Sequence, residues 1–189
     1  VAYEGSAVLM ALAHGRVAGK VGFATVTHGP ALTNCITALT EGARGRVPMV
    51  LLAGDTAVSN PQNLQNIDQR ETVHITGAGF EQMRAPETAS YDLAHAIYRA
   101  EAEQRPIVLN MPVDFMWQEI DHVRHSFPTF RTPSYVPEGP DLDEAIGMIA
   151  SARRPIILAG IGAKDAVEEI TALADRLQAP LATTLKAKG

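Results

Sequence analysis

Residues 25–34, Thr-Val-Thr-His-Gly-Pro-Ala-Leu-Thr-Asn, join a sharp turn to side chains that can bind a ligand or move a proton. They follow an apolar run, Val21–Val26, and precede a helical pattern that starts near Pro30. Gly29 permits a tight bend and the close approach of another molecule. Pro30 suits the first helical position, where no N–H is required. Backbone N–H groups at such a helix start offer a site for a polar or anionic ligand. The same pattern also reads as an ordinary capped connection between strand and helix. Histidine suits proton transfer near pH 7, but His28 reads first as a polar residue at a loop rim. Glu4 opens another helical run. A carboxylate there either complements the helix dipole or, in a mostly apolar pocket that raises its pKa, serves as a proton donor.

Other groups have less informative spacing. Gly160-Ile161-Gly162 follows an apolar run, as a dinucleotide-binding turn would, but Asp165 stands where the third glycine belongs. His14, His74, His95, His122 and His125 show no metal-ligand spacing with Cys35 or with carboxylates. His122-x-x-His125 reads as a solvated pair, Gln65 as a solvated residue of a polar stretch, and no Ser-His-Asp arrangement emerges.

The elements that would carry these groups alternate. Helix is predicted over Gly5–Ala18, Pro30–Arg44 and Pro86–Glu103, and strand over Val21–Val26, Met49–Ala53, Phe80–Met83 and Pro106–Met111. Residues 55–70 are polar and loop-like, with Asn60-Pro61 as a turn signal. Apolar strands alternating with helices imply an α/β fold, a parallel sheet with helices on both faces. Residues 117–140 hold four prolines without sustained period and read as a linker. The rhythm then restarts with helix Leu142–Ser151, strand Pro155–Ala159, helix Asp165–Leu177 and strand Pro180–Thr184. The expected division is 1–116, linker 117–140, and 141–189 as the beginning of a second α/β unit.

The chain has 189 residues, 46% of them hydrophobic, which is enough for a substantial core. A net charge of −5 without a basic run argues against nucleic acid and anionic membranes as partners. The single cysteine, Cys35, excludes a disulfide framework and fits a reducing cytoplasm. No apolar run approaches membrane-spanning length. The sequence opens without Met close to a helix start and closes just after a strand, so both units read as cut.

Taken in order, Glu4-Gly-x-Ala, Thr27-x-Gly29-Pro30-x-x-x-Asn34 and Pro48-x-Val50-x-x-x-Gly54-Asp55 resemble the pyrimidine-binding domain of thiamine-diphosphate-dependent enzymes. Leu64-Gln65-x-x-Asp68, Arg105-Pro106-x-Val108-x-x-x-Pro112-x-Asp114 and Arg154-Pro155-x-x-x-x-Gly160-x-Gly162 extend the likeness over essentially the whole chain. The run looks like the large catalytic subunit of acetolactate synthase, with 141–189 as the start of its Rossmann-like central domain.

The resemblance implies decarboxylation or carboligation of 2-oxo acids, with a cofactor that carries the difficult carbanion chemistry itself. Glu4 resembles the glutamate that exchanges a proton with N1′ of the aminopyrimidine. Thr27, Gly29, Pro30 and Asn34 would line the cofactor, Asn34 tying down the turn by side-chain hydrogen bonds. His28 and Gln65 would lie on the substrate side. Magnesium and the diphosphate are held, in the family, by a Gly-Asp-Gly…Asn segment that this sequence lacks, and Asp55 is followed by threonine rather than glycine. The resemblance therefore implies half a site, completed by the diphosphate-binding domain of another subunit in a homodimer or homotetramer. It also implies that this chain alone is inactive. Some members bind FAD in the central domain.

Two positions depart from the pattern. Ala31 replaces the glycine of Gly-Pro-Gly, which should make the backbone helical there and turn a methyl group toward the pocket. Gly77, after Ile75-Thr76, stands where acetolactate synthases carry lysine, which puts that specific activity in doubt. Two other classes remain open: another nucleotide- or cofactor-binding α/β module, resting on Gly160-x-Gly162, and a non-catalytic subunit that kept the fold.

Overall fold

The structure, a computed structural model, describes residues 1–121, 123, 125 and 135–188. The chain forms two compact units, Val1–Thr132 and Pro133–Gly189, divided within 117–140. His122 and residues 126–134 of that segment lie outside the described residues.

The first unit runs α1 (Glu4–Ala18), β1 (Gly22–Val26), α2 (Pro30–Thr33), α3 (Ile36–Gly45), β2 (Met49–Asp55), α4 (Gln69–His74), β3 (Gly79–Gln82), α5 (Ala89–Glu103) and β4 (Pro106–Pro112). All four strands are parallel, in the order β1-β2-β4-β3. The central pair explains the apolar runs. Val50 lies opposite Ile107 and Leu51 opposite Val108, and all four are fully buried. Alternation sends them to opposite faces. Val50, Ile107 and Leu109 pack with Ala96 and Ala100 of α5. Leu51, Ala53 and Val108 pack with Val8, Ala11 and Leu12 of α1 and with Ala38 and Leu39 of α3. The sheet thus carries helices on both faces, and each large side chain buried this fully contributes about 1.5–3 kcal/mol.

Small residues set how closely α1 approaches. A methyl group on Gly22 would run into the backbone carbonyl of Ala11. That contact joins the start of β1 to the middle of α1, and so fixes the helix whose first residue is Glu4.

Two elements differ from the sequence pattern, and a third starts differently. The helix expected over Pro30–Arg44 is broken into α2 and α3. At the break the Cys35 N–H bonds back to Leu32 O at 2.9 Å, and the Asn34 carbonyl accepts the Tyr3 hydroxyl at 3.2 Å. A tertiary contact from the start of α1 thus engages a backbone group at the break. The other difference is α4, which follows directly on the long polar loop. Its cap is Asp68, whose carboxylate accepts the Glu71 N–H at 2.9 Å. The helix expected from Pro86 begins as a 3-10 turn, Pro86–Thr88, and becomes α5 at Ala89.

The second unit runs α6 (Pro140–Ser151), β5 (Ile157–Ala159), α7 (Val167–Leu177) and β6 (Leu181–Thr183), with β5 and β6 paired in parallel. Ile146, Met148, Ile156, Leu158 and Leu181 are exposed. Gly160-Ile161-Gly162 enters a 3-10 turn, Ile161–Ala163, and an added Cβ at either glycine meets nothing within 4 Å. Among the described residues no helix is long and apolar enough to cross a membrane.

Gly22→Ala is expected to force α1 off the sheet and to cost about 1–3 kcal/mol, the usual range for overpacking, as measured by chemical denaturation.

Candidate active site

Because the strands are parallel, β1, β2, β3 and β4 deliver Val26, Asp55, Gln82 and Pro112 to one edge of the sheet. Ligands of open α/β sheets bind at this carboxyl edge. The residues picked out in the sequence gather here, but in pairs rather than in one cluster.

The first pair is Glu4 and Asn34. Glu4 starts α1, and its Oε2 accepts a hydrogen bond from Asn34 Nδ2 at 3.0 Å. Asn34 therefore ties α1 to the turn, rather than holding the turn by itself. Its carbonyl takes the Tyr3 hydroxyl, so both of its polar ends serve the start of α1. The sequence argument expected an apolar pocket that raises the Glu4 pKa. The structure corrects this: the carboxylate is partly exposed, and its pKa lies below the ordinary 4.5. The main cause is a hydrogen bond from the Glu4 backbone at the helix start, followed by the Asn34 amide. Next along the chain, the buried Cys35 thiol donates to Ala31 O at 3.3 Å. Burial first, and the Glu4 carboxylate second, push its pKa up to about 11.

The second pair is Thr27 and His28, whose Oγ1 and Nδ1 are 3.3 Å apart. His28 Nε2 is buried and has no hydrogen-bond partner among the described residues. No hydrogen bond among the described residues joins Glu4 to Thr27, His28 or Gln65.

The third pair is Gly29 and Gln65. Gly29 has φ 61° and ψ −114°, in the region that favours glycine, and caps α2. The close neighbour that its missing side chain admits is the backbone carbonyl of Gln65. Its N–H is not free for a ligand either, because it donates to Gln69 Oε1 at 2.8 Å. Pro30 is exposed at the first position of α2, and its carbonyl accepts the Thr33 hydroxyl at 2.8 Å. The Gln65 side chain belongs to an exposed residue, with its backbone N–H held by Asn63 Oδ1 at 2.9 Å. Ala31 is helical as expected, but its methyl group is buried in the core with Leu32 and Leu39, not in a pocket.

Sequence reasoning missed a buried amide network beside this turn. Gln69, 3% exposed, donates from Nε2 to Gly54 O at 2.9 Å and to Asn110 Oδ1. Asn110, 2% exposed, donates to Asp55 Oδ2 at 2.6 Å and to Gln82 Oε1 at 2.9 Å. Asp55 Oδ1 in turn accepts the Thr56 N–H at 2.7 Å. Buried amides must be satisfied in this way, since an orphaned group costs about 1–3 kcal/mol. Asp55, Gln69, Gln82 and Asn110 line a cleft of about 390 Å³ together with Asp68, Arg70 and Phe80. The one available clue was Asn110, a polar residue inside an otherwise apolar strand. Among the described residues no group of His, Cys, Asp and Glu could hold a metal ion.

Replacing Asn34 by Ala should raise the Glu4 pKa part of the way back toward 4.5, as followed by NMR titration of the Glu4 carboxyl. The sign follows from linkage. A depressed carboxylate pKa stabilises the fold above pH 4.5, and the contribution is lost as the pH falls through the folded value. Without Asn34 that window narrows.

Comparison with known proteins follows the two units. Residues 1–74 match the model of the thiamine pyrophosphate enzyme N-terminal TPP binding domain, and residues 142–189 match that of the central domain. A probable 2-ketoarginine decarboxylase of Pseudomonas aeruginosa is 31% identical over 99% of this chain and 34% of its own length. A sulfoacetaldehyde acetyltransferase of Rhodobacter capsulatus is 28% identical over 96% of this chain and 31% of its own. For the acetolactate synthase large subunit of Corynebacterium glutamicum the figures are 29%, 100% and 31%. The chain spans about a third of the length of the curated relatives it matches. With both domain models matched in order, the chain belongs to the thiamine pyrophosphate enzyme family, in the group that includes acetolactate synthase large subunits.

Proposed function

We propose that this chain supplies the aminopyrimidine half of a thiamine-diphosphate site in an enzyme that decarboxylates or ligates 2-oxo acids. The observation that carries the reading is the Glu4 carboxylate, fixed at the start of α1 by the same Asn34 that ends the Thr27–Asn34 turn. The residues fit the group. A carboxylate with a set direction stands beside a turn whose buried His28 Nε2 lacks a hydrogen-bond partner among the described residues.

When bound, the cofactor supplies the carbanion character that the reaction needs. The residues of this chain do the rest of their half of the work. Glu4 holds and returns a proton at N1′ of the aminopyrimidine. Asn34 restrains the Glu4 carboxylate so that it meets that nitrogen from one direction. Thr27, Gly29 and Pro30 form the wall of the turn, while His28 and Gln65 face the 2-oxo acid. With Glu4 open to water on one side, the hydrogen bonds at the helix start and from Asn34 lower its pKa and favour the ionised form. A second, apolar wall that excludes this water would raise that pKa. In this reading the wall is the diphosphate-binding domain of another subunit, which also holds magnesium, so the working assembly is at least a homodimer.

The reading extends to the reaction class rather than to acetolactate synthesis. The relatives are named for decarboxylation, acetyl transfer and acetolactate synthesis. Gly77 adds a local reason. Its φ is 82°, a conformation that a lysine would occupy only under strain. FAD remains an option of the family, and no role given to these residues depends on it.

Glu4→Gln in the intact protein should lower kcat/KM for a 2-oxo acid by about 100-fold or more, with the circular dichroism spectrum unchanged. Wild-type turnover in that variant would refute the reading. The purified 189-residue chain, given thiamine diphosphate and magnesium, should show no turnover of pyruvate in a carbon dioxide release assay.

A further inference from the structure

We infer that Gln69 is a positioning residue of this site: it clasps the loop carrying Gln65 to the Thr27–Asn34 turn, and so sets where the Gln65 side chain projects. The inference rests on the proposed function, because the meeting of Gln65 with a 2-oxo acid belongs to that reading.

The direction of the Gln69 amide is fixed by its partners. The Gly29 N–H can only donate and the Gly54 carbonyl can only accept, so Oε1 faces the turn and Nε2 faces the end of β2. Both Nε2 hydrogens are used, the second by Asn110 Oδ1 on β4. One side chain thus joins the turn after β1 to the ends of β2 and β4. An apolar residue of the same size would fill the space but remove the partner of the buried Gly29 N–H and of the part-buried Gly54 carbonyl. A carboxylate would keep the Gly29 bond and set its second oxygen against two acceptors.

The early part of the loop is tied to the body of the unit by the Val58 N–H, which donates to Asp114 Oδ2 at 3.1 Å, but the part around Gln65 has no buried apolar anchor. Leu64, its large apolar residue next to Gln65, is fully exposed, and Gln65 and Asn66 are exposed as well. The remaining ties are polar. The Asn66 amide donates to Pro61 O at 2.9 Å, its carbonyl accepts the Thr56 hydroxyl at 3.1 Å, and Asn63 holds the Gln65 N–H. Gln69 lies four positions beyond Gln65, at the start of α4, and is the buried end of this segment. Where the Gln65 carbonyl rests against Gly29, the N–H of that same glycine is held by Gln69. The two contacts, on one residue, fix the segment 65–69 against the turn.

The test uses the intact protein with Gln69→Met, Gln65→Ala and both together. Gln69→Met should lower kcat/KM for the 2-oxo acid by up to about 100-fold, as a misplaced contact does. In the Gln65→Ala background the same change should cost no more than about twofold, because its effect runs through Gln65. Hydrogen exchange in a peptide covering 57–68 should accelerate by about tenfold or more, with a peptide covering 49–53 unchanged. Losses that simply add, or an unchanged 57–68 peptide, would overturn the inference. If Gln69→Met does not fold, Gln69→Glu is read by the same measurements. The exchange readout needs no turnover. A loosened loop in a protein inactive toward every 2-oxo acid would sink the proposed function and leave the clasp standing, whereas a rigid loop in an active enzyme would sink the clasp alone.

Discussion

The parallel pairing of β2 with β4, running from Met49 opposite Pro106 to Asp55 opposite Pro112, is the constraint on which the rest of the first unit depends. A parallel sheet buried on both faces must return each strand through a covering element, so all of its strand ends emerge on one side. That side collects the turn after β1, the polar loop after β2 and the Asn110 side chain of β4. The pairing also creates a demand. Asn110 lies inside the sheet, level with Ala53, and its amide must find partners there. Gln69, Asp55 and Gln82 answer that demand, and the site is built against the result.

Charge at the other end of the turn follows a different logic. Glu4 and Cys35 are close enough to influence each other, yet they respond in opposite senses. The carboxylate at the edge keeps water and the hydrogen bonds of the helix start, so ionisation is favoured. The thiol, one step inside, loses water and feels that carboxylate, so ionisation is opposed. A short distance across the surface separates a group ready to be negative from one held neutral. Solvent access thus separates a carboxylate whose charge is favoured from a thiol whose charge is opposed.

The repeating strands and helices were legible in the sequence because both faces of the sheet are buried, which makes β2 and β4 continuous apolar runs. The turn was legible because glycine followed by proline has few local alternatives. The break between α2 and α3 was not, since it accompanies contacts with Tyr3 and Glu4, thirty residues away in sequence. Helix α4 was hidden by its six residues, too few to display a period. The amide network was invisible for a related reason. Gln69 and Asn110 are separated by 41 positions, and nothing local distinguishes a buried glutamine from a solvated one. The sign of the Glu4 shift failed for want of a solvent boundary, which residue order does not encode.

Gly29 has a consequence for how such chains vary. Its carbon accepts the Gln65 carbonyl while its nitrogen is held by Gln69, so the spacing between those two glutamines is gauged against a single residue. One extra residue between them would shift either the carbonyl or the amide away from its mark. The stretch from Ala57 to Pro61 is held by single hydrogen bonds, Val58 N–H to Asp114 Oδ2 and Asn66 Nδ2 to Pro61 O, rather than by two contacts on one residue. Relatives that keep a glycine at this turn should thus vary in the early part of the loop and hold the later part to a constant count.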